Sequence, residues 1–142
     1  MKVLVPYDGS EQSKEALRHA LGTYPDAEID VLHVIDPVGR GGEKQQKAAW
    51  WNMWYEDRQH RSEEILEKAQ EVAEDHGRTI STAHEVGKPS GEILGYVKNH
   101  DVDRVIMGRQ GKTGLSRVLL GSVADNVARH ADLPVTLVGE TN

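Results

Sequence analysis

The densest chemistry of the chain lies in one stretch, Gly108-Arg109-Gln110-Gly111-Lys112-Thr113-Gly114-Leu115-Ser116-Arg117-Val118-Leu119-Leu120-Gly121-Ser122. Glycines let main-chain N–H groups approach an oxyanion closely and turn inward around it. Gly121 and Ser122 stand where a helix is expected to begin, so free amides and the helix dipole favour an anion there, and the Ser122 hydroxyl adds a donor. Arg109, Lys112 and Arg117 supply positive charge nearby. The chemistry of such a segment is the holding of a phosphate-like group. Local charge agrees: residues 104–129 hold five basic residues and one acid, +4 in all, so the rest of a chain of net charge −6 carries −10.

Several other chemistries are excluded. The run Gly108 to Thr113 resembles the end of a Walker A loop, but it has two residues between its glycines where that loop needs four. Gly39-x-Gly41 lacks the third glycine of a dinucleotide fingerprint and does not lead directly from strand to helix. With no cysteine in the sequence, disulfide scaffolds, thiolate metal sites and cysteine nucleophiles are ruled out. The seven histidines are scattered at 19, 33, 60, 76, 84, 100 and 130, without the paired spacing of a metal site. No G-x-S-x-G turn exposes a serine nucleophile. The acidic balance argues against nucleic acid as a partner, because backbone binding needs a basic face.

The elements that position this loop read as alternating strands and helices. Lys2 to Tyr7 is a short apolar strand ended by Asp8-Gly9-Ser10, a turn and helix cap. Glu11 to Leu21 is helical, and Gly22 and Pro25 end it. Glu28 to Ile35 is a second strand, apolar on both sides in its later half, as a sheet covered on both faces requires. After Gly39 to Gly42, the stretch Glu43 to His76 is one long helix or two joined ones, stopped by Gly77. A third strand follows over Arg78 to Val86, a helix over Pro89 to His100, a fourth strand over Arg104 to Gly108, a helix over Gly121 to Ala131 and a fifth strand over Pro134 to Val138. Right-handed crossovers put such strands into one parallel sheet with helices on both faces. Ligands bind such sheets beyond the carboxyl ends of the strands, where strand order reverses. The length of 142 residues suits one domain, 1–142.

Gly108, Gly111, Gly121 and Ser122 match G-x-x-G-(nine residues)-G-[ST], and in this the chain resembles the universal stress protein family, whose nucleotide-binding signature this is. The likeness extends over nearly the whole chain: Pro6-x-Asp8-Gly9-Ser10 is similar to the family's first loop, Leu32-His33-Val34-Ile35-Asp36 to its second strand, Gly87-x-Pro89 to its loop before the third helix, and Asp132-Leu133-Pro134-Val135 to its last turn and strand. The fold expected is a three-layer α/β/α sandwich, Rossmann-like, with a five-stranded parallel sheet of order 3-2-1-4-5. The resemblance implies ATP or AMP with magnesium as ligands. Gly108, Arg109, Gln110, Gly111, Gly121, Ser122 and Val123 would contact phosphates. Pro6, Tyr7 and Asp8 would line the nucleoside side, with Asp8 meeting the ribose or the metal. Val34 would face adenine and Met107 would pack on ribose or base. Asp8 follows a strand directly, where ligands of such sheets bind, a place that also suits a turn or cap residue.

The resemblance also implies a homodimer through the last strand, Val135, Thr136, Leu137 and Val138, whose apolar edge needs covering. The function expected is a nucleotide-responsive stress or regulatory module with no catalytic residue. The alternative is a slow ATPase or a phosphoryl or adenylyl transferase, which needs a base and charge stabilisation at the transferring group. Trp50, Trp51, Trp54 and Tyr55 are four of seven aromatic residues, and the expectation is that Trp54 joins Ile65, Ala69 and Val72 in covering the sheet. No apolar run reaches the ~20 residues of a membrane span, and the amino-terminal Met1 to Ser10 has no signal-peptide pattern. The cytoplasm is the expected compartment.

Overall fold

A computed structural model of the protein describes residues 1–37, 48–110 and 120–139. Along them run β1 (Lys2–Pro6), α1 (Glu11–Thr23), β2 (Glu28–Ile35), α2 (Ala48–Asp75), β3 (Ser81–Val86), α3 (Pro89–Asn99), β4 (Arg104–Gly108), α4 (Ser122–His130) and β5 (Val135–Val138). The strands form one sheet of order β3-β2-β1-β4-β5, parallel throughout. This is the α/β/α architecture and strand order expected from the sequence.

Strand alternation divides the core into two layers. Val3 and Val5 of β1 and Tyr7 just past its end, with Ile29 and Val31 of β2, pack against Ala16, Leu17 and Ala20 of α1 and Leu66, Ala69 and Ala73 of α2. Leu4, Leu32, Val105 and Met107 face the other way, onto Ile93 and Tyr96 of α3 and Ala124 and Val127 of α4. A one-residue slip of β1 would send each set to the wrong layer, so register is fixed by packing. One buried polar pair interrupts the second layer: the Tyr96 hydroxyl donates to Asp30 Oδ2 at 2.7 Å. The Tyr96 ring stacks on His100, with centroids 3.7 Å apart.

Among the described residues, two boundaries differ from the sequence reading by more than one residue, each for a local reason. β3 begins at Ser81, not Arg78. Gly77 at φ +65 ends α2 in a Schellman motif, with Arg78 N–H on Ala73 O and Gly77 N–H on Glu74 O. The Arg78 guanidinium then donates to Leu21 O at 2.7 Å and Ala27 O at 2.9 Å, tying the end of α1 to the start of β2. α1 runs on through Gly22 to Thr23, and Tyr24 caps it by donating its N–H to Ala20 O. α2 is one helix, with Glu43 to Lys47 of the expected stretch outside the described residues. Its core stripe starts at the fully buried Ser62, and Trp54 belongs to neither core layer. Instead Trp54 packs on Trp51 at 5.2 Å, with Arg58 over its ring at 5.5 Å. The sheet is too short to cover both halves of a helix of 28 residues, which at 1.5 Å rise per residue is about 42 Å long. No helix of the described residues is long and apolar enough to cross a membrane.

Candidate functional site

The reversal of strand order falls between β1 and β4, and the two strands pair only at Val3 with Arg104 and Leu4 with Val105. Pro6 explains why pairing stops. Tyr7 N–H donates to Leu32 O of β2 at 2.8 Å; amides alternate in direction along a strand, so the nitrogen of Pro6 faces β4 and has no hydrogen to give. Beyond that point the strand ends part around a cleft of about 500 Å³.

The first wall follows β1. Asp8 Oδ1 accepts the Ser10 N–H at 2.9 Å, Gly9 turns at φ +83, and Ser10 Oγ accepts Ser13 N–H at 3.1 Å to cap α1. Asp8 is thus a turn residue whose position also borders the cleft. The second wall follows β4. A Cβ added to Gly108 would stand 2.9 Å from Gln12 Cβ and 3.2 Å from the Gln12 main chain, so α1 packs directly on this glycine. The Gly121 N–H donates to Arg109 O at 2.8 Å, and Arg109 N–H to Val138 O at 2.9 Å, fastening the loop to α4 and to β5. Arg109 runs past Gly139, where an added Cβ would lie 3.5 Å from Arg109 Cδ.

α4 starts at the floor of the cleft. Gly121 is its N-cap and provides no side-chain cap, whereas the start of α1 is closed by Ser10. Gly121, Ser122, Val123 and Ala124 all line the space, so the positive end of the α4 dipole faces it. From β2 come Val34 and, past its end, Asp36; α3 adds Pro89 and Ile93.

Of the residues named from the sequence, Pro6, Tyr7, Asp8, Val34, Met107, Gly108, Arg109, Gln110, Gly121, Ser122 and Val123 line this one cleft. Gly111, Lys112 and Arg117 lie outside the described residues. Sequence reasoning missed Ser13, Leu32, His33, Asp36, Pro89, Ile93 and Ala124, which complete the lining. Leu32, His33, Asp36 and Pro89 stood within motifs already singled out; Ser13, Ile93 and Ala124 carried no local signal. His33 makes a 2.8 Å contact between its Nδ1 and Oγ of the buried Ser62 on α2. Among the described residues no group of three or more His, Asp or Glu is placed to hold a metal ion. A divalent ion here would take its oxygens chiefly from a bound phosphate, with Asp8 as a carboxylate at the rim.

Tyr7 is buried, and its hydroxyl has no hydrogen-bond partner among the described residues. Burial pushes it up to about 12; Arg18 opposes the shift, and the Asp8 and Glu11 carboxylates add to it. Tyr96 is also raised, by burial first and then by its bond to Asp30. Above pH 10 the unfolded chain releases both phenolic protons while the folded chain keeps them. The unfolded state then binds fewer protons, so stability falls as pH rises, by about 1.4 kcal/mol per pH unit for each tyrosine. The Tyr7 share levels off near pH 12. Urea unfolding from pH 9 to 12 should trace this decline, and a flat profile to pH 12 would contradict it.

The cleft combines apolar walls, a helix amino-terminus and a glycine-lined loop, a set that suits a flat apolar ring joined to an anion. The universal stress protein family matches residues 1–139. The universal stress protein MJ0531 of Methanocaldococcus jannaschii is 36% identical over 139 residues, which cover 96% of this chain and 81% of that protein. The solved structure of protein MJ0577 of the same organism superposes with a TM-score of 0.85 at 32% identity, over 99% of this chain and 96% of that one. A universal stress protein family member of Arabidopsis thaliana with AMP bound shares the fold at TM-score 0.72 and 19% identity, over 99% and 92% of the two chains. A universal stress protein in complex with cAMP does so at 0.72 and 24% identity, over 99% and 98%. Matched over nearly its whole length in sequence and in fold, the chain belongs to the universal stress protein family.

Proposed function

We propose that the cleft binds an adenine nucleotide, ATP or AMP, and that the protein is a nucleotide-responsive regulatory module built on one domain, 1–142. The observation that carries this reading is the convergence of the uncapped start of α4, the Gly108 loop and the Pro6 to Asp8 turn on one cleft at the strand reversal. The AMP and cAMP in two structures of the same fold support the choice of base. In this reading the amides of Ser122 and Val123 and the Ser122 hydroxyl donate to phosphate oxygens. Val34 and Met107 flank the base and sugar, and Asp8 meets the ribose or a magnesium ion. The phosphates supply the negative charge that the helix dipole favours. Calorimetric titration of ligand-free protein with ATP, AMP and cAMP, with and without magnesium, tests the reading. Saturable binding of one nucleotide per chain supports it, and no heat with any of the three refutes it.

The same reading includes a homodimer through β5. Val105 N–H donates to Pro134 O and Arg109 N–H to Val138 O, so Val135 and Leu137 turn their main-chain groups to the open edge. A second copy pairing there would satisfy them. Leu137→Pro removes an outward donor and leaves those inward bonds in place. Light scattering should then report dimers for the natural chain and monomers for the variant. Dimers of both would move the interface elsewhere.

A further inference from the structure

We infer that Gln12, which does not itself line the cleft, is a positioning residue that holds the β4 wall in its binding shape; the inference rests on the nucleotide reading of that cleft. Gln12 lies in the first turn of α1, just past the Ser10 cap. Its Oε1 accepts the main-chain N–H of Gln110 at 2.8 Å, and its Nε2 lies 3.4 Å from Gln110 Oε1. Its Cβ packs where a side chain on Gly108 would have to stand. One side chain thus braces both Gly108 and Gln110, at the place where the ladder between β1 and β4 has already ended. It replaces the missing ladder with a strut across the mouth of the sheet.

The residue type fits the task. An amide accepts the Gln110 N–H without setting a negative charge beside the anion the cleft would hold. A carboxylate would accept the same bond and repel a phosphate. Gln110 is 7% exposed, so removing Gln12 Oε1 takes from its buried N–H the acceptor at 2.8 Å and loosens the β4 wall.

Gln12→Met keeps the length and packing and removes the acceptor; Gln12→Glu keeps the acceptor and adds charge. Adenosine, AMP and ATP are titrated into the full chain and both variants, with melting temperatures measured alongside. Gln12→Met should weaken ATP about tenfold, the loss of one buried hydrogen bond, and leave adenosine within about twofold, because the braced wall serves the phosphate end. Gln12→Glu should weaken ATP more than AMP, in a way that added salt relieves. ATP binding unchanged in Gln12→Met, or adenosine and ATP weakened in parallel, would overturn the role. If the natural chain binds none of the three, the nucleotide reading fails and this role with it; binding by the natural chain and equally by Gln12→Met overturns the positioning role alone.

Discussion

Gly108→Ala is expected to destabilise the protein by about 1–3 kcal/mol, the range for overpacking a tight contact, and to weaken nucleotide binding as well. The obstacle is space, since Gly108 is not among the glycines of positive φ. The added Cβ would stand 2.9 Å from Gln12 Cβ, 3.1 Å from Gln110 O and 3.2 Å from the Gln12 carbonyl carbon. Two of those three atoms are main chain, so relief requires α1 or the loop to shift, and either shift moves a wall of the cleft. Gly95→Ala is the control with the opposite sign. Gly95 lies inside α3 with nothing within 4 Å of an added Cβ, so alanine there should stabilise by about 0.5–1 kcal/mol. Urea unfolding of the two variants separates a packing requirement from a general intolerance of substitution. Equal stability of Gly108→Ala and the natural chain would show that the contact is slack.

Tyr96→Phe is expected to cost about 1–3 kcal/mol, the penalty of leaving a buried polar group without its partner. Asp30 is 6% exposed and Tyr96 9%, so little water can replace the lost hydroxyl. The phenyl ring retains the stacking on His100 and nearly all of the apolar packing, which isolates the polar contribution. A second substitution sharpens the test. Asp30→Leu in the Tyr96→Phe background removes both partners, and much of the loss should be regained if the pair serves specificity more than stability. Additive losses in that cycle would mean that the two residues act independently, against the 2.7 Å bond between them.

Much of the fold could be read from the residues alone because its signals are local. The apolar run from Lys2, ended by Asp8-Gly9-Ser10, announces a buried strand, a turn and a cap, and Ser10 Oγ does cap α1. The alternation of such units implies a parallel sheet through crossover handedness alone. Boundaries failed where a residue's usual role was taken by a neighbour. Gly22 looked like a helix stop, yet its backbone stays helical and Tyr24 closes the turn. Arg78 looked like the start of a strand, yet its guanidinium is used on the carbonyls of Leu21 and Ala27, some fifty residues away. Trp54 reads as a core residue from the sequence because a helical stripe has no way to show where the sheet beneath it ends.

The candidate site divides in the same way. Gly121 and Ser122 are legible because a glycine followed by a helix start is a local pattern with a physical use. Ile93, Ala124 and Leu32 are ordinary core residues by type, and only the packing of three elements brings them to the cleft. Gln12 is the plainest case: the partner that gives it meaning lies 98 residues away, and nothing beside it in the chain announces the contact. Family and fold were therefore within reach of the sequence, while the bracing of the site belongs to tertiary structure.

Calorimetric titration of ATP into the natural chain and into Ser122→Glu tests whether an anion-bearing nucleotide sits at the start of α4. Ser122 is exposed and is the first residue of α4. A glutamate there suits the helix dipole and should leave the fold intact or slightly steadier, while its carboxylate occupies and repels the phosphate position. One ATP is expected to bind per natural chain, with affinity at least about tenfold weaker in the variant, the effect of a charge placed within a few ångströms of the phosphate. Equal binding by both proteins, or none by the natural chain, would contradict that placement of the nucleotide.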